Sequence, residues 1–228
     1  MEQVDQGFLE IQEQFLSGQI AANGLRDAKT RALIRLACLA AIQSMEELPD
    51  TVRDALESGV SVTEIKEALY QTAPYIGFPR VKEVLTAVNH TLLDKNIDPK
   101  GEDQSTVTPE TRFEKGLQVQ VKIFGSSIYA MRDAAPEETK HIQDCLSANC
   151  FGDYYTRGML DLKMRELITF TVICAIGGCE PQAKAHAKAN LSVGNTKQTL
   201  IEALTTCLPY LGYPRTLNAL ACINEVCQ

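Results

Sequence analysis

Apolar positions along the chain recur at three- and four-residue intervals, the period of a helix that buries one face. Leu162, Leu167, Phe170 and Cys174 follow this pattern up to the pair Gly177-Gly178, and Asp161 stands before it as an N-cap. The next stretch has Pro181 in its first turn, runs to about Val193 and stops at Gly194. Thr196 then caps a helix carrying Leu200, Ile201, Leu204 and Leu208. Pro209 and Gly212 are expected to break the chain, and Pro214 to open a last helix ending near Val226. No stretch alternates with period two, so the pattern predicts an all-α protein.

The pattern is written twice. Asp27 to Leu85 realigns with Asp161 to Leu220. Asp27, Lys29, Arg31, Leu33 and Ile34 face Asp161, Lys163, Arg165, Leu167 and Ile168. After a one-residue insertion, Gly59 faces Gly194 and Glu67-Ala68-Leu69 faces Glu202-Ala203-Leu204. Pro74-Tyr75-Ile76-Gly77-Phe78-Pro79 faces Pro209-Tyr210-Leu211-Gly212-Tyr213-Pro214. In the first copy, Ser61 and Glu64 have the spacing of a capping box. The polar run Asp94 to Pro109 reads as a linker. The expected organisation is two tandem helical lobes, residues 1–104 and 105–228, packed about a pseudo-twofold axis.

Composition narrows the function. With 45% hydrophobic and 22% charged residues, a soluble globular protein is expected. No apolar run approaches the roughly 20 residues of a membrane span. A net charge of −7, no tryptophan and no basic run argue against a nucleic-acid partner and for a small-molecule substrate. Met1, Glu2, Asp5 and Glu10 do not make a secretion leader. The eight cysteines are therefore expected to be reduced, in a cytoplasmic protein. Three histidines and no Cys-x-x-Cys pair argue against a zinc site, and no metal is expected.

Several segments together resemble the carboxymuconolactone decarboxylase family, which includes the alkylhydroperoxidase D-like branch. They are Arg112 to Leu117, Phe151 to Arg157, Leu160 to Leu167, Ala185-His186 with Gly194 beyond, and Pro209 to Pro214. The resemblance covers residues 110–227, and residues 8–93 look like a shorter, degenerate copy. It implies an all-helical fold and cofactor-free chemistry on a small organic acid, or thiol-dependent peroxide reduction. It also implies trimers or hexamers of single units, so a two-copy chain would form a homotrimer resembling a hexamer.

The candidate catalytic residues are Glu166, Cys179 and His186. Cys179, just before Pro181, is expected near a helix N-terminus, where the helix dipole favours a thiolate. Glu166 on the preceding antiparallel helix would reach His186 directly or through a water, and so complete a carboxylate–imidazole–thiol relay. The repeat is an internal control: Glu166 faces Ala32, Cys179 faces Met45, and His186 faces Thr51 or Val52. All three reactive groups are missing together from the first copy, which then reads as a structural partner. Arg157 is a candidate for holding a substrate carboxylate, with a surface ion pair as the other reading, and Tyr154 or Tyr155 for lending a hydroxyl. Cys145 and Cys150 are expected to straddle a helix end, with Cys150 against the pocket. His90 and His141 are expected at the surface.

This sequence departs from both branches. The peroxidase-like branch has a second cysteine where Gln182 stands, and the decarboxylase branch a His-Glu pair where Pro181 and Gln182 stand. Three functions therefore stay open: a cofactor-independent decarboxylase acting on a lactone-type acid, a thiol peroxidase using Cys179, and a non-catalytic scaffold.

Overall fold

The computed structural model describes residues 4–227, and all the regular structure among them is helical. The first half holds α1 (Gln6–Phe15, continued by a π-helical segment Leu16–Ile20 and a last turn Ala21–Asn23), α2 (Ala28–Ile42), α3 (Leu48–Glu57), α4 (Val62–Ile76) and α5 (Phe78–Asp94). The second holds α6 (Arg112–Phe124), α7 (Ser127–Asp133), α8 (Lys140–Cys145, continued by a π-helical segment Leu146–Tyr155), α9 (Leu162–Ile176), α10 (Glu180–Ser192) and α11 (Lys197–Val226). The leader reading at Met1 and Glu2 lies outside the described residues. Among the described residues no helix is long and apolar enough to cross a membrane.

The local signals act as their chemistry demands. Asp27 and Asp161 accept from the backbone N–H of Thr30 and Met164, each at 2.8 Å, and so start α2 and α9. Ser61 and Glu64 form the reciprocal capping box of α4. The expected break falls at Gly212, where α11 kinks between two helical stretches, while Pro209 lies inside the first of them as Pro74 lies inside α4. A proline near a helix end removes one hydrogen bond, whereas the reversal needs a left-handed residue. Gly77 (φ 84°) and Gly212 (φ 72°) supply it in the two copies. One expectation needs correction: Cys145 and Cys150 do not straddle a helix end, because the π-helical segment carries α8 on through Tyr155.

Helices α2 and α9 pack against each other at the centre, each largely buried. The other contacts are reciprocal: α9 also lies on α4 of the first lobe, and α2 on α11 of the second. This exchange relates the lobes by an approximate twofold axis. One apolar core runs through both, from Leu33 and Leu36 to Ile168 and Phe170. The connecting segment is pinned to both lobes. Glu102 N–H donates to Thr63 Oγ1 at 3.0 Å, and Gly158 N–H to the Gln104 carbonyl at 3.0 Å.

A buried ionic clamp crosses the interface. Arg165 of α9 is fully buried and donates to Glu67 Oε2 and Gln71 Oε1 of α4, each at 3.0 Å. Its remaining N–H groups meet the carbonyls of Arg157, Gly158 and Leu160. Arg157 adds a second guanidinium, with Nε at 2.9 and 3.1 Å from the two Glu67 oxygens. Removing the shared carboxylate leaves buried positive charge uncompensated, a cost of about 3–5 kcal/mol. Glu67→Gln is therefore expected to lower the urea-unfolding free energy by about that much. Glu137→Gln, which breaks the exposed pair with Lys140, is expected to cost less than about 1 kcal/mol. Equal effects of the two substitutions would refute the clamp.

Candidate active site

The residue after Arg165 turns the same buried helix toward the second lobe. Glu166 is fully buried, and both its oxygens are occupied. Tyr155 O–H donates to Oε1 at 2.8 Å, and His186 Nδ1 lies 2.8 Å from Oε2. With Oε1 accepting from the tyrosine, Oε2 accepts from Nδ1–H, which leaves Nε2 to meet the cavity contents. Asn190 of α10 ties the two helices together by donating to the Glu166 carbonyl at 3.0 Å and the His186 carbonyl at 2.7 Å. The imidazole is held edge-on between Tyr75 and Phe124, with ring centroids at 6.1 and 5.3 Å.

The hydrogen bonds continue into the first lobe. Thr169 Oγ1 is 2.8 Å from the Tyr155 hydroxyl and accepts from Gln71 Nε2 at 3.2 Å. Gln71 is also the residue that accepts from Arg165, so clamp and site form one network. The Tyr75 hydroxyl lies 3.3 Å from that of Tyr155 and 3.5 Å from Cys150 Sγ. Burial pushes both phenols well above their usual range, and the Glu166 charge adds to the shift. Both therefore stay protonated as hydrogen-bond donors.

A cavity of about 650 Å³ opens in front of His186. Its walls are apolar (Phe124, Ile128, Met131, Ile142, Phe151, Ile173, Ile176), with Gln120, Asn149 and Gln182 as polar points and no lysine or arginine. Cys145, Cys150 and Cys179 also line it, so Cys179 and His186 face one space. Cys179 is half-buried and is the residue before the first turn of α10, as its position beside Pro181 suggests. Its sulfur does not cap that helix but donates to the Gly177 carbonyl at 3.4 Å. Among the described residues no group of three or more His, Cys, Asp or Glu side chains is placed to hold a metal ion.

The other candidates lie elsewhere. Arg157 is held by Glu67, with Ser105 and Asp103 beside it, and lines a separate groove with Lys115 and Lys122. Its ion-pair reading fits this placement, because the carboxylate it binds belongs to the protein. Tyr154 is half-buried against the core and does not line the cavity, and it is its neighbour Tyr155 that bonds Glu166. His90 and His141 are exposed. Sequence reasoning missed Tyr75, Gln71 and Thr169. Tyr75 sits in the Pro-Tyr-x-Gly-x-Pro repeat, where its recurrence as Tyr210 reads as scaffold. The usable signal was the symmetry, since paired lobes hand residues across their interface.

The thiols of this cavity differ in burial. Cys150 is buried and pushed up to about 12, first by desolvation. At about pH 8 roughly one such thiol in ten thousand is ionised. Iodoacetamide is therefore expected to label exposed Cys145 and half-buried Cys179 well before Cys150. Peptide mass spectrometry checks this order, and equal labelling of Cys150 would contradict the burial described.

A family model described as the carboxymuconolactone decarboxylase family matches the chain twice, over residues 6–90 and 141–225. The chain is also 27% identical over 118 residues to the 4-carboxymuconolactone decarboxylase of Acinetobacter baylyi, an alignment spanning 51% of this chain and 87% of that protein. One relative of nearly single-unit length thus matches half of a two-unit chain.

Proposed function

Because the chain belongs to the carboxymuconolactone decarboxylase family, we propose that the cavity of the second lobe binds a small lactone-type organic acid and that His186 delivers the proton of its decarboxylation. The observation that supports this most is the direct 2.8 Å contact between Glu166 and His186 at the wall of an apolar cavity. The bond from carbon to the carboxylate breaks, CO₂ leaves, and the electron pair passes into the neighbouring conjugated carbonyl as an extended enolate. The imidazolium then gives its Nε2 proton to carbon and regains one from solvent. Glu166 stabilises that imidazolium and fixes its orientation. The lining offers the substrate carboxylate no lysine or arginine, so the charged ground state loses hydration and gains no counter-ion. Arg157 has no part in this proposal, since Glu67 already holds it.

A second reading has its own observation: Cys179 is half-buried and lines the same cavity as His186. In that chemistry the thiolate attacks a hydroperoxide, the O–O bond breaks, and His186 protonates the departing alkoxide. The sulfenic acid left on Cys179 condenses with an external thiol, releasing water, and a second external thiol reduces the disulfide.

Assays of three proteins with 4-carboxymuconolactone and with an organic hydroperoxide separate the two. His186→Gln is expected to lower decarboxylation by about 10²–10⁴-fold. Cys179→Ser is expected to leave it within about threefold. Peroxide turnover abolished by Cys179→Ser, with no decarboxylation by the parent protein, would reverse the assignment.

A further inference from the structure

We propose that the first lobe carries a second binding site, for the carboxylate of a small amphipathic organic acid, in the cavity bounded by Arg31, Arg35 and Tyr210. The inference is independent of the chemistry proposed for the second lobe. The cavity has a volume of about 360 Å³. Leu16, Ile20 and Leu25 supply apolar wall, and Arg31, Arg35 and Tyr210 the polar groups.

Its position in the repeat shows what it is. Ile34 faces Ile168, so Arg35 stands where Thr169 stands in the second copy, and Tyr210 stands where Tyr75 does. The π-helical segment Leu16–Ile20 borders this cavity as Leu146–Tyr155 borders the other. It lies where the second copy holds the buried clamp of Arg165, Gln71 and Thr169, and Arg31, Thr206 and Arg35 stand in their places. Ala32 has replaced the glutamate, and a guanidinium has replaced the threonine.

The two cations are compensated unequally. Arg35 Nη1 pairs with Asp54 at 2.9 Å and Nη2 reaches Thr51 Oγ1 at 3.5 Å, but its buried Nε has no hydrogen-bond partner. Asp54 itself is half-exposed. Arg31 spends Nη1 on the carbonyls of Leu25 and Arg26, and among the described residues it pairs with no carboxylate. Its counterpart Arg165 is neutralised by Glu67, whereas the residue equivalent to Glu67, Glu202, accepts from Gln198 instead. Glu47 is the other acid near Tyr210. Arg35 is thus paired with Asp54, and Glu47 and Asp27 lie nearby, whereas Arg31 is in no ion pair among the described residues. A guanidinium that lines a cavity and has no ion pair of its own is satisfied by a ligand carboxylate. The leucine and isoleucine walls select an apolar body behind it.

The test is an NMR titration of the full chain with benzoate, read at the arginine Nε–H resonances. A saturable downfield shift of the Arg35 signal is expected. Arg31→Gln should weaken it at least about tenfold, and His186→Gln should leave it unchanged. Ile20→Trp, which fills the cavity from its apolar wall and keeps both charges, should also abolish it, and this guards against misfolding of the arginine variant. Benzamide, with the same shape and no charge, should not bind. No saturable shift up to about 20 mM benzoate, an equal response to benzamide, or equal affinity for inorganic phosphate would overturn the proposal. So would loss of binding in His186→Gln with retention in Arg31→Gln, which would move the ligand to the other lobe.

Discussion

Helix α9 carries an arginine and a glutamate side by side at positions where neither reaches water. The rest of the molecule follows from having to compensate these two charges. Arg165 finds its counter-charge in Glu67 of the other lobe, so the lobes cannot part without stranding it. Glu166 finds hydrogen-bond donors in Tyr155 and His186, so the same helix that locks the lobes also orients the imidazole. Gln71 and Thr169 join the two halves of this arrangement. The clamp and the candidate relay form a single buried network, and fully connected networks of this kind hold side chains in one geometry.

The tandem arrangement explains how the copies could diverge. In a symmetric pair of identical units, every residue would have to serve in both roles. On one chain the first copy supplies Glu67, Gln71 and Tyr75 to the network of its neighbour without counterparts of Glu166 and His186. The second copy keeps the reactive groups. In the first copy Arg35 stands where the second has Thr169, and it lines a cavity beside Arg31.

Much of the fold was legible because it rests on local signals. Helical spacing, the caps at Asp27, Ser61 and Asp161, and the left-handed glycines at 77 and 212 each depend on a few neighbouring residues. Glu166 and His186 could be paired because they lie on consecutive helices that must run antiparallel. Contributions across the interface could not be read this way. Arg157 looks like a substrate clamp until Glu67, ninety residues away in sequence, is seen to occupy it. Tyr75 looks like scaffold for the same reason. Neither π-helical segment was foreseen, since one extra residue per turn leaves the apolar spacing almost unchanged.

The measurement that bears most directly on this account is the ¹⁵N chemical-shift pattern of the His186 ring in the uncomplexed protein. The neutral imidazole is expected to carry its proton on Nδ1, donated to Glu166, with Nε2 unprotonated toward the cavity. In Glu166→Gln that preference should be lost while the helical spectrum is unchanged. A neutral ring protonated on Nε2, with a pattern insensitive to Glu166→Gln, would show that the carboxylate does not orient the imidazole, and the proposed site would lose its central contact.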